Sequence, residues 1–179
     1  MVSRQTKSIS LSALIREHPT IAEILWMSAP GVRESLDDRS VAILEAAQLE
    51  RSLESIITHR LIKLDDSEKK ELFAGDSAPL ATFSAKTKIA YALGMFGKNT
   101  KKELDRIRGI RNAFAHSSKP LNFSTKQIET ECNNLTRTFV GNTPMTSRDK
   151  YIQSASNLSA SLLSLKYPRS EDSDFDPLD

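Results

Sequence analysis

The sequence predicts an all-α protein, a single-domain helical bundle of about seven helices with one long central helix. Three observations support this fold class. Apolar residues recur at helical spacing in several segments, and residues 38–64 run without a glycine or a proline. No segment shows the apolar–polar alternation between hairpin turns that is typical of β-strands. We therefore expect helices to supply the whole core.

The length and composition agree with one compact domain. The chain has 179 residues, of which 39% are hydrophobic and 27% are charged, as in ordinary globular proteins. No apolar run approaches the ~20 residues that span a bilayer. We expect a cytoplasmic protein with a disordered N-terminus at residues 1–9, a helical domain at residues 10–167 and an acidic disordered tail at residues 168–179. A single cysteine, Cys132, excludes an internal disulfide.

Two short helical pieces are expected before the long helix, on either side of Pro19. The long helix spans about residues 38–64, and Asp37, Asp38 and Ser40 are its capping choices. Its apolar stripe consists of Ala42, Ala46, Leu49, Leu53, Ile56, Ile57 and Leu64. Glu45 and Arg60 project toward this stripe, so either could be a counter-charge in a buried network.

A short helix follows, starting at Asp65 or Asp66 and running through Phe73, with Gly75 as a C-terminal cap. The next helix contains Phe83 and continues to Phe96. Gly94 weakens it and Gly97 ends it.

The helix at residues 100–117 carries the most unusual pattern. Thr100 and Glu103 have the spacing of a capping box. Behind them, one helical stripe is formed by Leu104, Ile107, Arg111 and Phe114. A guanidinium on a core-facing stripe is costly unless it is paired or lines a cavity. Arg111 therefore marks the segment as a candidate site.

Two helices complete the bundle. Ser124 and Gln127 predict a capping box for a helix that holds Ile128, Cys132 and Leu135, and Cys132 is expected to be an inert core thiol. The last helix covers about residues 147–166.

A basic stretch coincides with the candidate site. Residues 98–119 have a net charge of +5, whereas residues 168–179 have a net charge of −4. The possible nucleic-acid patch consists of Lys98, Lys101, Lys102, Arg106 and Arg108. We favour a solvated helix face over a nucleic-acid surface, because nucleic-acid footprints usually show a stronger basic bias.

The chain has no phosphate-binding loop, no dinucleotide-binding glycine motif, no H-E-x-x-H and no nucleophile elbow. We therefore expect no cofactor and no metal, and we favour a protein that is not an enzyme. The polar set left over is Arg111, Asn112 and His116. Histidine and arginine suit metal-independent ribonuclease chemistry, as base and as phosphate clamp. On an unbroken helix, however, Arg111 and His116 lie ~140° apart, so that pairing would need the helix to end near Ala115 or a second copy of the motif.

The same residues have a structural interpretation, which we favour. Arg111 could cap carbonyl groups or pair with a carboxylate such as that of Glu45. Asn112 could bridge helices. His116 could lie at the helix C-terminus, where a positive imidazole is favoured.

Three blocks of the chain carry a resemblance, in matching order and spacing across about residues 20–140. They are residues 38–54, residues 78–94, and the run Arg108-x-x-Arg111-Asn112-x-Phe114-Ala115-His116 with the following Leu121-Asn122-Phe123. These blocks resemble the mannitol operon repressor family. The resemblance implies a bacterial, all-α, cytoplasmic transcription regulator without a recognisable DNA-binding motif, which acts through a partner protein. The resemblance does not indicate which genes the protein regulates.

Arg111 to His116 also fits an R-x4-H motif, which resembles that of the HEPN superfamily. That likeness implies either a ribonuclease built as a dimer with facing motifs or a binding domain without catalysis. Our preferred interpretation is a non-enzymatic regulator that forms a homodimer, and the alternative is a ribonuclease or RNA-binding domain that uses Arg111, Asn112 and His116. Direct DNA binding is a third, weaker possibility.

Overall fold

A computed structural model describes residues 31–75, 77–138 and 144–165, and within them every regular element is a helix. The expectations for residues 1–9, for the two helical pieces around Pro19 and for the acidic tail lie outside the described residues. The chain divides after Leu36 into two units, residues 1–36 and residues 37–179. The described part of the first unit contains α1, Val32–Ser35, which follows Gly31.

Six helices make up the described part of the second unit. They are α2 (Asp38–Arg60), α3 (Asp66–Phe73), α4 (Phe83–Ala92), α5 (Lys98–His116), α6 (Lys126–Asn133) and α7 (Ser147–Ser164). The all-α bundle with a long central helix is thus confirmed. None of these helices is long and apolar enough to cross a membrane.

The central helix α2 packs most extensively on α7 and also contacts α5 and α4. Helices α2 and α7 run in the same direction, since Asp38 pairs with Arg148, and the Tyr151 hydroxyl donates to the Ala42 carbonyl at 2.8 Å. The most deeply buried large side chains come from α2, α5 and α7. They are Leu49, Leu53, Ile56, Ile57, Leu104, Ile107, Ile110, Phe114, Tyr151, Leu158 and Leu162.

Local side-chain caps start most of these helices. Asp37 accepts from the Ser40 backbone N–H at 2.9 Å, so the predicted cap of α2 is confirmed. Asp65 and Glu68 form a capping box at α3. Each cap satisfies a backbone donor that the helix leaves without a partner.

Two predicted capping boxes are wrong. Helix α5 begins at Lys98 with Gly97 as its N-cap, so Thr100 already lies inside the first turn. Thr100 is fully buried, and its hydroxyl accepts from the Arg137 guanidinium at 2.7 Å. Helix α6 begins after Thr125 and has no side-chain cap, so Ser124 does not cap it.

Four helices end earlier than predicted. Helix α6 stops at Asn133, so Leu135, although buried, lies beyond it. Helix α2 stops at Arg60 rather than near Leu64, and α7 stops at Ser164. Helix α4 stops at Ala92 because Gly94 adopts a left-handed φ of 65°, which only glycine takes without strain.

Candidate functional site

The candidate site lies at the C-terminal end of α5. Arg111 and Asn112 are half-buried, and His116, the last residue of the helix, is exposed. The Arg111 Nη1 donates to Asn112 Oδ1 at 3.0 Å. The helix end is fixed from α2, where the Arg39 Nη2 donates to the Ser117 carbonyl at 3.1 Å.

Asn112 lies, around the helix, between the directions of Arg111 and His116. Helix α5 continues unbroken to His116, so the directions of Arg111 and His116 still differ by about 140°. Asn112 and His116, four residues apart, share one side of the helix. Because the Arg111 guanidinium is hydrogen-bonded to Asn112, it turns toward the side that carries His116. The observed contact is therefore between Arg111 and Asn112, and His116 lies one turn further along the side that carries Asn112.

Arg111 is less buried than its stripe predicts. Leu104, Ile107 and Phe114 are fully buried as expected, and Ile110 is the further buried apolar residue of this half of the helix. Arg111 remains half-buried, and its guanidinium donates to the side chain of Asn112. The stripe thus continues through Arg111 with a partly exposed polar side chain, and the roles predicted for its guanidinium stay predictions.

Glu45 is buried and accepts from the Ser156 hydroxyl at 3.5 Å. Burial raises the pKa of the Tyr151 phenol well above its usual range, the Glu45 carboxylate raises it further, and the Arg111 guanidinium lowers it. Both charged groups therefore act on the same hydroxyl. Direct pairing of Glu45 with Arg111 stays a prediction. Arg60 is exposed, so its predicted part in a buried network is wrong.

Phe114 anchors the site to the core. Its ring centroid lies 5.0 Å from that of Phe123, and Phe123 lies 5.4 Å from Tyr151. Phe123 is itself fixed, since its backbone N–H donates to Asp38 at 2.9 Å. The loop after α5 is thereby tied to the start of α2.

The predicted basic patch divides into two parts. Lys98 and Lys102 are exposed. Lys101 and Arg108 are both paired with Asp105, at 2.8 Å and 3.3 Å, which removes part of their charge from the patch.

Arg106 is likewise engaged within the fold. Its guanidinium pairs with Glu131 at 3.0 Å and donates to the Asn134 carbonyl at 2.9 Å. Arg108 Nε is a buried nitrogen without a hydrogen-bond partner among the described residues. The two arginines thus belong more to the packing of α5 than to a free basic surface.

The sequence alone does not reveal the most connected polar group of α5. The Glu103 carboxylate is buried and accepts from the backbone N–H groups of Thr136 at 2.6 Å and Arg137 at 3.0 Å, and from the Ser154 hydroxyl at 3.0 Å. It therefore fastens the segment after α6 and helix α7 to α5. In the sequence, Glu103 is a carboxylate next to a buried stripe. Its spacing from Thr100 also fits a capping box, so the pattern does not indicate its contacts with distant residues.

Cys132 is buried, and burial raises the pKa of its thiol to about 12. A thiol that stays protonated is a poor nucleophile, which agrees with the predicted core role. Among the described residues, no group of three or more histidine, cysteine, aspartate or glutamate side chains is placed to hold a metal.

Comparisons with known proteins leave the site without an outside reference. The chain matches no family model, no curated protein and no solved structure. Functional inference therefore depends on its own residues and their geometry.

Proposed function

We propose that the protein is a transcription regulator of the mannitol operon repressor type, which acts as a homodimer through contacts with a partner protein. The resemblance in three sequence blocks motivates this proposal. In the fold, these blocks supply α2, α4 and the C-terminal half of α5, which pack on one another.

Polar contacts join the blocks. Lys86 of the second block pairs with Glu50 at 3.0 Å and Glu54 at 2.9 Å in the first block. Asp38 of the first block accepts from Phe123 in the third. Residues within the three blocks thus also hold the blocks together. This supports the proposal that the fold is the one shared by the mannitol operon repressor family.

An exposed glycine on the outer side of α5 supports the proposed contact with another protein chain. Gly109 lies in the middle of this helix and is exposed, and a Cβ placed on it would meet no atom within 4 Å. A glycine inside a helix costs about 1 kcal/mol relative to alanine. Packing within the described chain gives no reason for that cost, whereas a partner helix that approaches the backbone closely would. Asn112 and His116 follow Gly109 on the same side.

The oligomeric state tests this part. Light scattering coupled to size exclusion should give twice the chain mass of 19.9 kDa for the wild type. Gly109→Leu should give monomers, because the larger side chain blocks close approach. Gln127→Leu places the same side chain on the exposed side of α6 and should leave the dimer intact. A monomeric wild type would reject the dimer.

Regulation is tested in a bacterium that carries the gene. Deletion should raise the transcripts of a sugar-uptake operon, and wild-type protein should restore repression while Gly109→Leu should not. Unchanged transcripts after deletion would contradict the proposal. Steep, salt-sensitive retardation of duplex DNA by the purified protein would favour direct DNA binding over a protein partner.

A metal-independent ribonuclease is the second candidate, and the Arg111–Asn112 hydrogen bond favours it. Through that bond, the Arg111 guanidinium turns toward the side of α5 on which the exposed His116 lies. An imidazole can remove the proton of a ribose 2′-hydroxyl, whose oxygen then attacks the adjacent phosphate while a guanidinium stabilises the charge on the phosphate oxygens. The bond from phosphorus to the 5′-oxygen of the next nucleotide breaks, which leaves a 2′,3′-cyclic phosphate, and that 5′-oxygen takes a proton from water.

Incubation of the protein with RNA in EDTA tests this candidate. Cleavage to 2′,3′-cyclic phosphate ends should occur with the wild type, should be lost in His116→Ala and should persist in His59→Ala, which removes another exposed histidine. Such a result, with folding intact in both variants, would reject a purely non-enzymatic regulator. Intact RNA with the wild type would reject the ribonuclease.

A further inference from the structure

The stretch that forms α4 and the start of α5 is rich in lysine. Residues 83–102 contain five lysines and no aspartate or glutamate. One of them, Lys86, is buried and neutralised by Glu50 and Glu54. Lys88, Lys98 and Lys102 are exposed. No ion pair engages these three within the described part of the chain, so their charges face solvent.

An exposed aromatic ring lies among these lysines. Tyr91, near the end of α4, is 38% exposed, and the neighbouring Leu93 is 51% exposed. Lys88 precedes Tyr91 by three residues and so lies on the same side of α4. From α5, the Lys101 Nζ lies 5.9 Å from the Tyr91 ring centroid. We call Lys88, Tyr91, Lys98, Lys101 and Lys102 the Tyr91 surface.

Lys101 gives this surface a fixed geometry. Its ammonium group is also paired with Asp105 at 2.8 Å, so it is held between that carboxylate and the Tyr91 ring. Lys98 lies three residues before Lys101 and four before Lys102, so it shares a side of α5 with each of them, while Lys101 and Lys102 are about 100° apart around the helix. The Tyr91 ring therefore has one lysine fixed beside it, and the exposed Lys88, Lys98 and Lys102 lie on the same two helices.

We propose that the Tyr91 surface binds single-stranded nucleic acid, with an unpaired base stacked on Tyr91 and phosphates bound by Lys88, Lys98 and Lys102. A positive surface attracts any polyanion, but an exposed ring beside it adds the stacking contact that unpaired bases use. Paired bases cannot reach such a ring, so duplexes lose that contact. This inference uses neither Arg111 nor His116 and does not depend on the proposed function.

Fluorescence anisotropy with a labelled pyrimidine oligonucleotide of about 12 nucleotides tests the proposal. Single-stranded RNA and DNA of the same sequence are both used, at about 50 mM salt and above. DNA lacks the 2′-hydroxyl, so its binding is measured free of any cleavage. Circular dichroism confirms that every variant is folded.

The two kinds of contact have different signatures. Tyr91→Ala should weaken binding roughly 5- to 150-fold at every salt concentration, whereas Tyr91→Phe should retain most of the affinity. Lys102→Gln should weaken binding and lower the salt dependence, the slope of log affinity against log salt, by about 0.7. Lys126→Gln, an exposed lysine on α6, is the matched control and should change neither.

Several results would overturn the proposal. They are no binding of either strand up to about 100 µM protein at low salt, equal binding of duplex DNA, or a folded Tyr91→Ala that binds like the wild type. Binding to vesicles with anionic lipids, lost in the same variants and without oligonucleotide binding, would assign the surface to a membrane instead.

Discussion

Replacement of Arg111 by alanine separates a structural motif from a functional one. Within the described residues, the Arg111 side chain donates one hydrogen bond, to the Asn112 next to it, and both are half-buried. A hydrogen bond of this kind contributes about 0.5–1.5 kcal/mol. We therefore expect Arg111→Ala to lower the free energy of unfolding by no more than about 1.5 kcal/mol.

Glu103→Ala in the same helix supplies the scale for comparison. Its loss removes the acceptor of two partly buried backbone N–H groups and of the buried Ser154 hydroxyl, and the carboxylate that lies 3.6 Å from the Arg137 guanidinium. Breaking a buried charged cluster in this way costs about 3–5 kcal/mol. The two variants should thus differ by at least twofold in their effect on stability.

Urea unfolding followed by circular dichroism measures both effects. Arg51→Ala, an exposed arginine on α2, controls for the loss of a positive charge. With a common m value, the shift in midpoint gives the change in free energy directly. If Arg111→Ala destabilised the protein as much as Glu103→Ala, the motif would be part of the structural framework, and the ribonuclease candidate would lose its supporting observation.

Three further predictions concern buried groups. Glu45→Ala should destabilise the fold markedly, and a double-mutant cycle with Arg111→Ala, measured by urea unfolding, should show a coupling of more than about 0.5 kcal/mol if the two charges interact; a neutral Glu45→Ala would remove the pairing. Cys132, with its pKa raised from 9.0 to about 12, should resist thiol reagents at pH 8 until the protein unfolds. Because the folded state holds that proton more tightly, its stabilising effect is complete below pH 9 and is lost as the pH rises toward 12, which a comparison with Cys132→Ala in alkaline urea titrations would detect. Lys86→Met should cost about 1–3 kcal/mol by leaving two neighbouring glutamates unpaired, and removing both carboxylates as well should restore part of the loss.

Features set by neighbours in sequence were predictable. The Asp37 cap depends on a donor three residues away, and the burial of Ile107 and Phe114 follows from helical periodicity. Both are consequences of local geometry, so the sequence is sufficient for them.

Features set by distant partners were not predictable. Thr100 and Glu103 have the right spacing for a capping box, yet the helix starts at Lys98 and both side chains bind residues more than thirty positions further along the chain. Because the N-cap is Gly97 rather than Thr100, a three-residue shift turns the predicted cap into an interior residue. The role of Glu103 could be known only once the segment after α6 was placed.

The length of α5 separates the tests made at its two ends. One side of the helix is committed to the fold through Glu103 and the buried apolar residues, while Gly109 and His116 lie on the opposite side. The Tyr91 surface meets α5 at its first turn, and Lys98 is separated from His116 by about 27 Å along the axis. Substitutions that far apart with no shared partner act additively. An effect of Tyr91→Ala on oligonucleotide binding and of His116→Ala on cleavage can therefore each be assigned to its own surface, and any coupling between them would itself indicate that a bound strand or a second copy spans the helix. Gly109 precedes His116 by seven residues on the same side, about 10 Å along the axis, so Gly109→Leu and His116→Ala act on one surface.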